Sequence, residues 1–150
     1  MSNRHLHWQP PYGFLAGALA ILIFWPGLGG PFLFDDFPAL VNNTSLHINQ
    51  LSIAEVWRAA FSFELGGGSR PLAMASFAIN HALGGLNPWG WKLAGLLVHG
   101  LNALLVYLLV VRLFALADVG LRHRRLAAFA VALVWAVHPL QVSAALYVVQ

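Results

Sequence analysis

Apolar residues are spread unevenly along this chain, in long uncharged runs separated by shorter stretches that hold nearly all the charge. After residues 1–11, which carry Arg4, His5 and His7, no fixed charge occurs before Asp35, and Tyr12 to Trp25 is densely apolar. Leu93 to Val111 is wholly uncharged and flanked by Lys92 and Arg112. About 20 helical residues cover a hydrocarbon core of ~30 Å, so both runs are long enough to cross a bilayer. The first could instead be a cleaved signal peptide, but no A-x-A follows it and an uncleaved span fits better. Leu126 to Gln150 is apolar again but interrupted by His138-Pro139. Leu126 to His138 makes only about 20 Å of helix, so that helix either kinks at Pro139 and continues or breaks near the outer face. The pattern predicts an all-α polytopic membrane protein with about three spans, residues 1–150 forming one transmembrane domain. The chain stops at Gln150 while still apolar, which reads as a domain cut short.

Residues 31–90 are too polar to span. Ser52 and Glu55 give the capping-box spacing S-x-x-E. Behind them Ile53, Val56, Trp57, Ala60 and Phe61 share one helical face, with Glu55, Arg58 and Ser62 on the other. Such a helix over 53–63 suits the membrane interface, with Trp57 and Phe61 buried and Arg58 outward, or packs on other parts of the loop. Gly66-Gly67-Gly68 lacks the Lys and Ser/Thr of a phosphate-binding loop and reads as a hinge. Arg70-Pro71 opens a second helix to about Leu83, stopped by Gly84-Gly85. Asn87-Pro88 repeats the start signal, and Trp89 and Trp91 sit where an aromatic belt belongs.

Composition sharpens this picture. The 150 residues are 59% hydrophobic and 9% charged, far from the ~25% charged of soluble domains. There is no cysteine, so disulfides, thiol catalysis and thiolate metal sites are excluded. Six tryptophans suit interfacial anchoring. Residues 112–125 hold Arg112, Arg122, Arg124 and Arg125 against Asp118, which predicts a cytoplasmic loop, a cytoplasmic N-terminus and an outward-facing segment 31–90. The bilayer is the expected partner, and no nucleic-acid partner is expected.

Against so little charge, the adjacent Asp35 and Asp36 stand out, delivered to the membrane surface directly after an apolar run. Pro31, Phe32, Phe34, Phe37 and Pro38 surround them with apolar bulk, a setting that favours proton-accepting or cation-binding roles. The duller reading is a helix cap and a solvated neighbour. Arg70 suits an anionic ligand, or pairs with Glu64. His99 and Asn102, three apart on the second span, either bridge helices or serve a site. His138 either caps a helix end or lines a cavity. Asn42-Asn43-Thr44-Ser45 holds two overlapping glycosylation sequons, for which a turn or cap role is the simpler reading.

Three ordered stretches, PFLFDDFPALVNN, SRPLAMASFAINHALGGLNPWGWKLAGLLVHGLNALLVYLL and WAVHPLQVSAALYVVQ, resemble the N-terminal part of GT-C-type membrane glycosyltransferases. The closest group is the bacterial polytopic family, often with tetratricopeptide repeats, related to transmembrane O-mannosyltransferases. The resemblance covers roughly residues 25–150. It implies an outer loop with an acidic pair and two helices along the membrane, and transfer of a sugar from a polyprenyl-phosphate donor to an acceptor on the outer face. It implies Asp35, with Asp36, as the catalytic acids, and Arg70, His99, Asn102 and His138 as substrate-binding residues. In some such enzymes the acidic pair holds a divalent metal, but users of lipid monophosphates commonly do without one, so no cofactor or metal is expected. The implied location is a bacterial inner membrane. Two departures stand out: Val142-Ser143 follows the HP motif where many relatives have Thr-Glu, and relatives run to several hundred residues with more spans. The chain is therefore expected to be a piece of a larger enzyme, partnered by further membrane helices. The alternative is a non-catalytic membrane subunit, in which Gly95 and Gly100 would pack against partner helices.

Overall fold

The computed structural model describes residues 11–62 and 70–149. The glycine hinge, Glu64, and the residues before Pro11 lie outside them. Six α-helices follow in order: α1 Pro11–Phe24, α2 Ile53–Ala60, α3 Pro71–Gly84, α4 Pro88–Leu116, α5 Leu121–Ala136 and α6 Gln141–Leu146. Among the described residues there is no strand. The all-α membrane class therefore stands. Among the described residues two stretches have the length and apolarity of a span, Pro11–Gly29 (α1 and the 3-10 turn after it) and α4. The third expected span, α5, has 16 residues, roughly 24 Å of helix, short of a ~30 Å core.

The helix boundaries obey local chemistry. Ser52 Oγ accepts the Glu55 N–H at 3.2 Å and starts α2. Gly85, at φ +59°, ends α3 in a conformation that a side chain would strain, and its N–H returns to the His81 carbonyl. Asn87 Oδ1 accepts the Trp89 N–H at 3.1 Å as α4 begins. Asn43 Oδ1 likewise accepts from Ser45 N–H, giving the sequon stretch its capping role.

The described chain forms two compact units. In the first, made from Met1–Trp25 and Leu96–Val142, α1 packs on α5. Its core is built from Ala16 and Ala20 of α1, Ala103 and Tyr107 of α4, and Ala128, Ala132 and Ala136 of α5. Small residues every four positions let backbones approach closely, which is how helices gain contact where lipid removes any hydrophobic drive. At Gly17 a Cβ would come within 2.7 Å of the Gly100 carbonyl oxygen, so α1 and α4 touch backbone to backbone. Gly100, expected to serve a partner helix, is thus occupied within the chain.

The second unit, Pro26–Gly95 with Ser143–Gln150, has a true hydrophobic core: Phe32, Leu40, Leu46, Ile48, Met74 and Trp91 among others. Trp91 corrects the expected aromatic belt. It is buried, donates Nε1–H to the Gly85 carbonyl at 2.9 Å and meets Phe32 edge-on. Only Trp89 of that pair is exposed. Helix α2 brings a second correction. Ala59 and Ala60 are its buried residues, whereas Trp57 is 67% exposed and meets the likewise exposed Phe61 at a tilt. The bulky apolar stripe Ile53–Trp57–Phe61 faces away from the protein because the smaller alanines fit the tight contact with α3.

Candidate functional site

The acidic pair sits on a strained turn. Phe34 has φ +44°, a left-handed conformation that costs a bulky residue roughly 1–2 kcal/mol. Around it Asp36 N–H donates to the Leu33 carbonyl and Phe37 N–H to the Phe34 carbonyl. A short π-helical turn, Phe37–Val41, follows, with Pro38 in its first turn and Asn42 N–H returning to Phe37.

This turn gives the two carboxylates opposite environments. Asp36 is 1% exposed. One oxygen accepts the Leu33 N–H at 2.9 Å; the other accepts the Val149 N–H at 2.8 Å, tying the acidic turn to a residue 113 positions away. The ammonium of Lys92, itself buried, adds electrostatic attraction. Gly30 makes room for that ammonium, since a Cβ there would lie 3.0 Å from Nζ. Asp35 is exposed, and no side-chain hydrogen bond holds its carboxylate among the described residues. Its backbone carbonyl accepts from Ala39 N–H, so the residue is fixed while the carboxylate is free to meet a ligand. Neither acid caps a helix through its side chain.

Arg70 belongs to the same unit, at the N-terminal boundary of α3, exposed and not capping that helix with its side chain. Toward the other end of α3, His81 stacks face to face on His47, centroids 4.5 Å apart. Each donates a ring N–H to a backbone carbonyl, His47 to Leu40 and His81 to Ile48, joining α3 to the loop before α2. No sequence motif marks this pair; its only signal is two histidines within the polar segment 31–90.

The remaining three expected residues lie in the other unit. His99 is buried and its Nε2–H donates to the Ala136 carbonyl at 2.8 Å. That carbonyl is one of the acceptors left unpaired where α5 ends, so His99 joins α4 to the end of α5. Its ring lies between Trp135, stacked at 5.4 Å, and Phe24, edge-on at 5.7 Å. Asn102, three residues on, is exposed on α4 beside Leu101 and Leu105, so the two polar residues occupy different surroundings. His138 is exposed in the turn between α5 and α6, its Nδ1 accepting from Leu140 N–H at 3.3 Å. No group of three or more His, Asp or Glu side chains able to hold a metal ion occurs among the described residues.

These features define an all-α membrane protein with one anchored and one presented carboxylate on a strained turn. Comparison with known proteins narrows the class. The chain is 34% identical over 144 residues to the human protein O-mannosyl-transferase TMTC4, covering 87% of this chain and 19% of that protein. It is 32% identical over 90 residues to the Xenopus laevis protein O-mannosyl-transferase tmtc2, covering 57% of this chain and 11% of that protein. With the mouse protein O-mannosyl-transferase TMTC3 it shares 31% over 126 residues, 81% of this chain and 13% of that protein. The chain is thus a relative of the transmembrane O-mannosyltransferases, the kinship its motifs imply, and spans about a fifth of their length or less. No family model and no solved structure matches it.

Proposed function

We propose that this chain is the membrane part of an inverting glycosyltransferase that moves a sugar from a polyprenyl-phosphate donor to a hydroxyl acceptor on the outer face of a bacterial inner membrane. The observation that carries the reading is the division of labour on the strained turn: Asp36 is held and Asp35 is presented. In the reaction the acceptor oxygen bonds to the anomeric carbon as the carbon–oxygen bond to phosphate breaks. The hydroxyl proton passes to the Asp35 carboxylate, and polyprenyl phosphate leaves with its negative charge. Asp36, with both oxygens engaged, positions the turn. Arg70 is the cation in the same unit suited to stabilising the departing phosphate electrostatically.

Asp35→Asn tests this. It keeps size and polarity but removes proton affinity, and loss of a general base costs about 10²–10⁴ in rate. Membranes from cells expressing the protein should show that loss of sugar transfer with unchanged insertion, because the Asp35 side chain is exposed. Full activity in the inserted variant would overturn the assignment.

A further inference from the structure

Half of the chain's eight lysines and arginines fall within residues 112–125, as Arg112, Arg122, Arg124 and Arg125, against one acid, Asp118. The fold gathers them at a single corner. Helix α4 carries Arg112 near its end at Leu116, and α5 starts at Leu121 with the other three in its first five residues. The connection is tight: Val119 N–H returns to the Phe114 carbonyl, with Asp118 left-handed at φ +56°. All of it belongs to the first unit. The uncharged run Leu93–Val111 makes about 28 Å of helix, close to a hydrocarbon core of ~30 Å, which sets the corner at the depth of the lipid headgroups.

The protein does little to balance this charge. Among the described residues Asp118 pairs with none of the four arginines. Arg122, Arg124 and Arg125 lie at the positive end of the α5 dipole, where acids are favoured, and the first turn holds no acid. Arg124 Nε is enclosed by protein yet has no hydrogen-bond partner among the described residues, the kind of orphaned donor that folded proteins rarely leave. From the core, the group that Arg124 and Arg125 both meet electrostatically is the buried Tyr107 hydroxyl, which brings no charge of its own. Positive charge this concentrated calls for an anion from outside, and the planar donors of guanidinium match the oxygens of a phosphate. The surroundings say what the anion is attached to. Leu113, Leu116 and Leu126 flank the corner and are exposed, so a charged head there would have hydrocarbon beside it.

We propose that the α4–α5 corner binds the phosphodiester headgroup of an anionic bilayer phospholipid, with Arg124 as its central ligand and the other three arginines supplying the field that attracts it. The acyl chains lie along the flanking leucines. A lipid seated there supplies the acceptor that Arg124 lacks and fixes the corner to the membrane surface. The proposal draws on no residue of the acidic turn and does not depend on sugar transfer.

The full chain is reconstituted in nanodiscs of equal phosphatidylglycerol and phosphatidylcholine, and the lipids that stay bound are counted by native mass spectrometry. The parent protein should retain phosphatidylglycerol in preference. Arg124→Gln and Arg122→Gln should each lower that preference about five-fold, the effect of one arginine at an anionic surface. Arg122 is exposed, so its variant gives the reading even where Arg124→Gln inserts poorly. Arg58→Gln, an exposed cation of the other unit, should change nothing. Arg124→Lys separates a built site from diffuse charge: it keeps the charge but loses the planar fork, and should recover less than half of the preference. An unchanged preference in both glutamine variants overturns the proposal, and so does full recovery by Arg124→Lys. Displacement of phosphatidylglycerol by millimolar inorganic phosphate would make this a site for a soluble anion, and stronger retention of polyprenyl phosphate would make it a site for that lipid; either overturns the partner assigned.

Discussion

Asp36→Ala should loosen the second unit by roughly 3 kcal/mol, although the residue touches no substrate in this reading. The carboxylate receives two short N–H bonds, from Leu33 and Val149. Hydrogen bonds to a charged group contribute about 1.5–3 kcal/mol each. Removing the acid also takes away the attraction that partly offsets the burial of Lys92, which is only 4% exposed. These contributions share one group and do not add, so the expected total stays near the upper single value. The assay is amide hydrogen exchange on the protein in nanodiscs, alongside a denaturation midpoint. Protection should collapse first at Val149 and Leu33, whose acceptors are gone, before α4 or α5 exchange. Asp36→Asn should be nearly as harmful, because its amide NH2 faces one of the two N–H donors. Adding Lys92→Met should recover part of the loss by removing the buried charge, with a coupling of about 0.5–3 kcal/mol. If Asp36→Ala leaves Val149 protected and the midpoint unmoved, the carboxylate is not what holds the two segments together.

Other substitutions test neighbouring features. Gly17→Ala should cost about 1–3 kcal/mol in the denaturation midpoint, because the new methyl meets the Gly100 carbonyl, whereas Gly84→Ala, with open space around it, should be neutral or slightly stabilising. Phe34→Gly should relieve the left-handed strain and leave the midpoint unchanged or raised by up to about 1 kcal/mol, since this ring is largely exposed. Trp91→Phe should lower it by about 1–3 kcal/mol by leaving the Gly85 carbonyl without its donor. Single cysteines at Ser62 and Gly120, in a chain with none of its own, should differ in labelling by an impermeant thiol reagent on intact cells, only position 62 reacting; reaction at 120 instead would reverse the proposed orientation.

The helices were legible because their signals are local. Ser52 before Ile53, Gly85 after Gly84 and Asn87-Pro88 each act through bonds within a few residues, and the structure places element ends there. Sidedness was harder, because it depends on what packs opposite. On α2 the bulky residues Ile53, Trp57 and Phe61 and the small Ala59 and Ala60 lie around adjoining parts of the helix. Hydrophobicity assigns burial to the larger set, but close approach to α3 selects the alanines. The alanine ladder of the first unit, Ala128–Ala132–Ala136 above all, was present in the sequence as a four-residue period of small side chains. It reads as a packing face only when the helix is known to sit in lipid against close neighbours.

Adjacent residues of one type form the hardest case. Asp35 and Asp36 have the same chemistry and the same flanking bulk, so a reading from the chain alone gives them one role. What separates them is Phe34 at φ +44°, a residue type with no preference for that conformation, and Val149, more than a hundred positions away. The turn is imposed by the packed surroundings: Phe32 is buried in the core beside Trp91, and the Val149 amide has Asp36 as its acceptor. The cost of the Phe34 backbone, roughly 1–2 kcal/mol, is smaller than the contribution of the two N–H bonds that the turn allows Asp36 to accept. The strain therefore persists, and as a result it turns the neighbouring carboxylate outward. On this account the anchoring acid and the presented acid are a single device, and the reactivity proposed for Asp35 depends on Asp36 keeping its bonds to the Leu33 and Val149 amides.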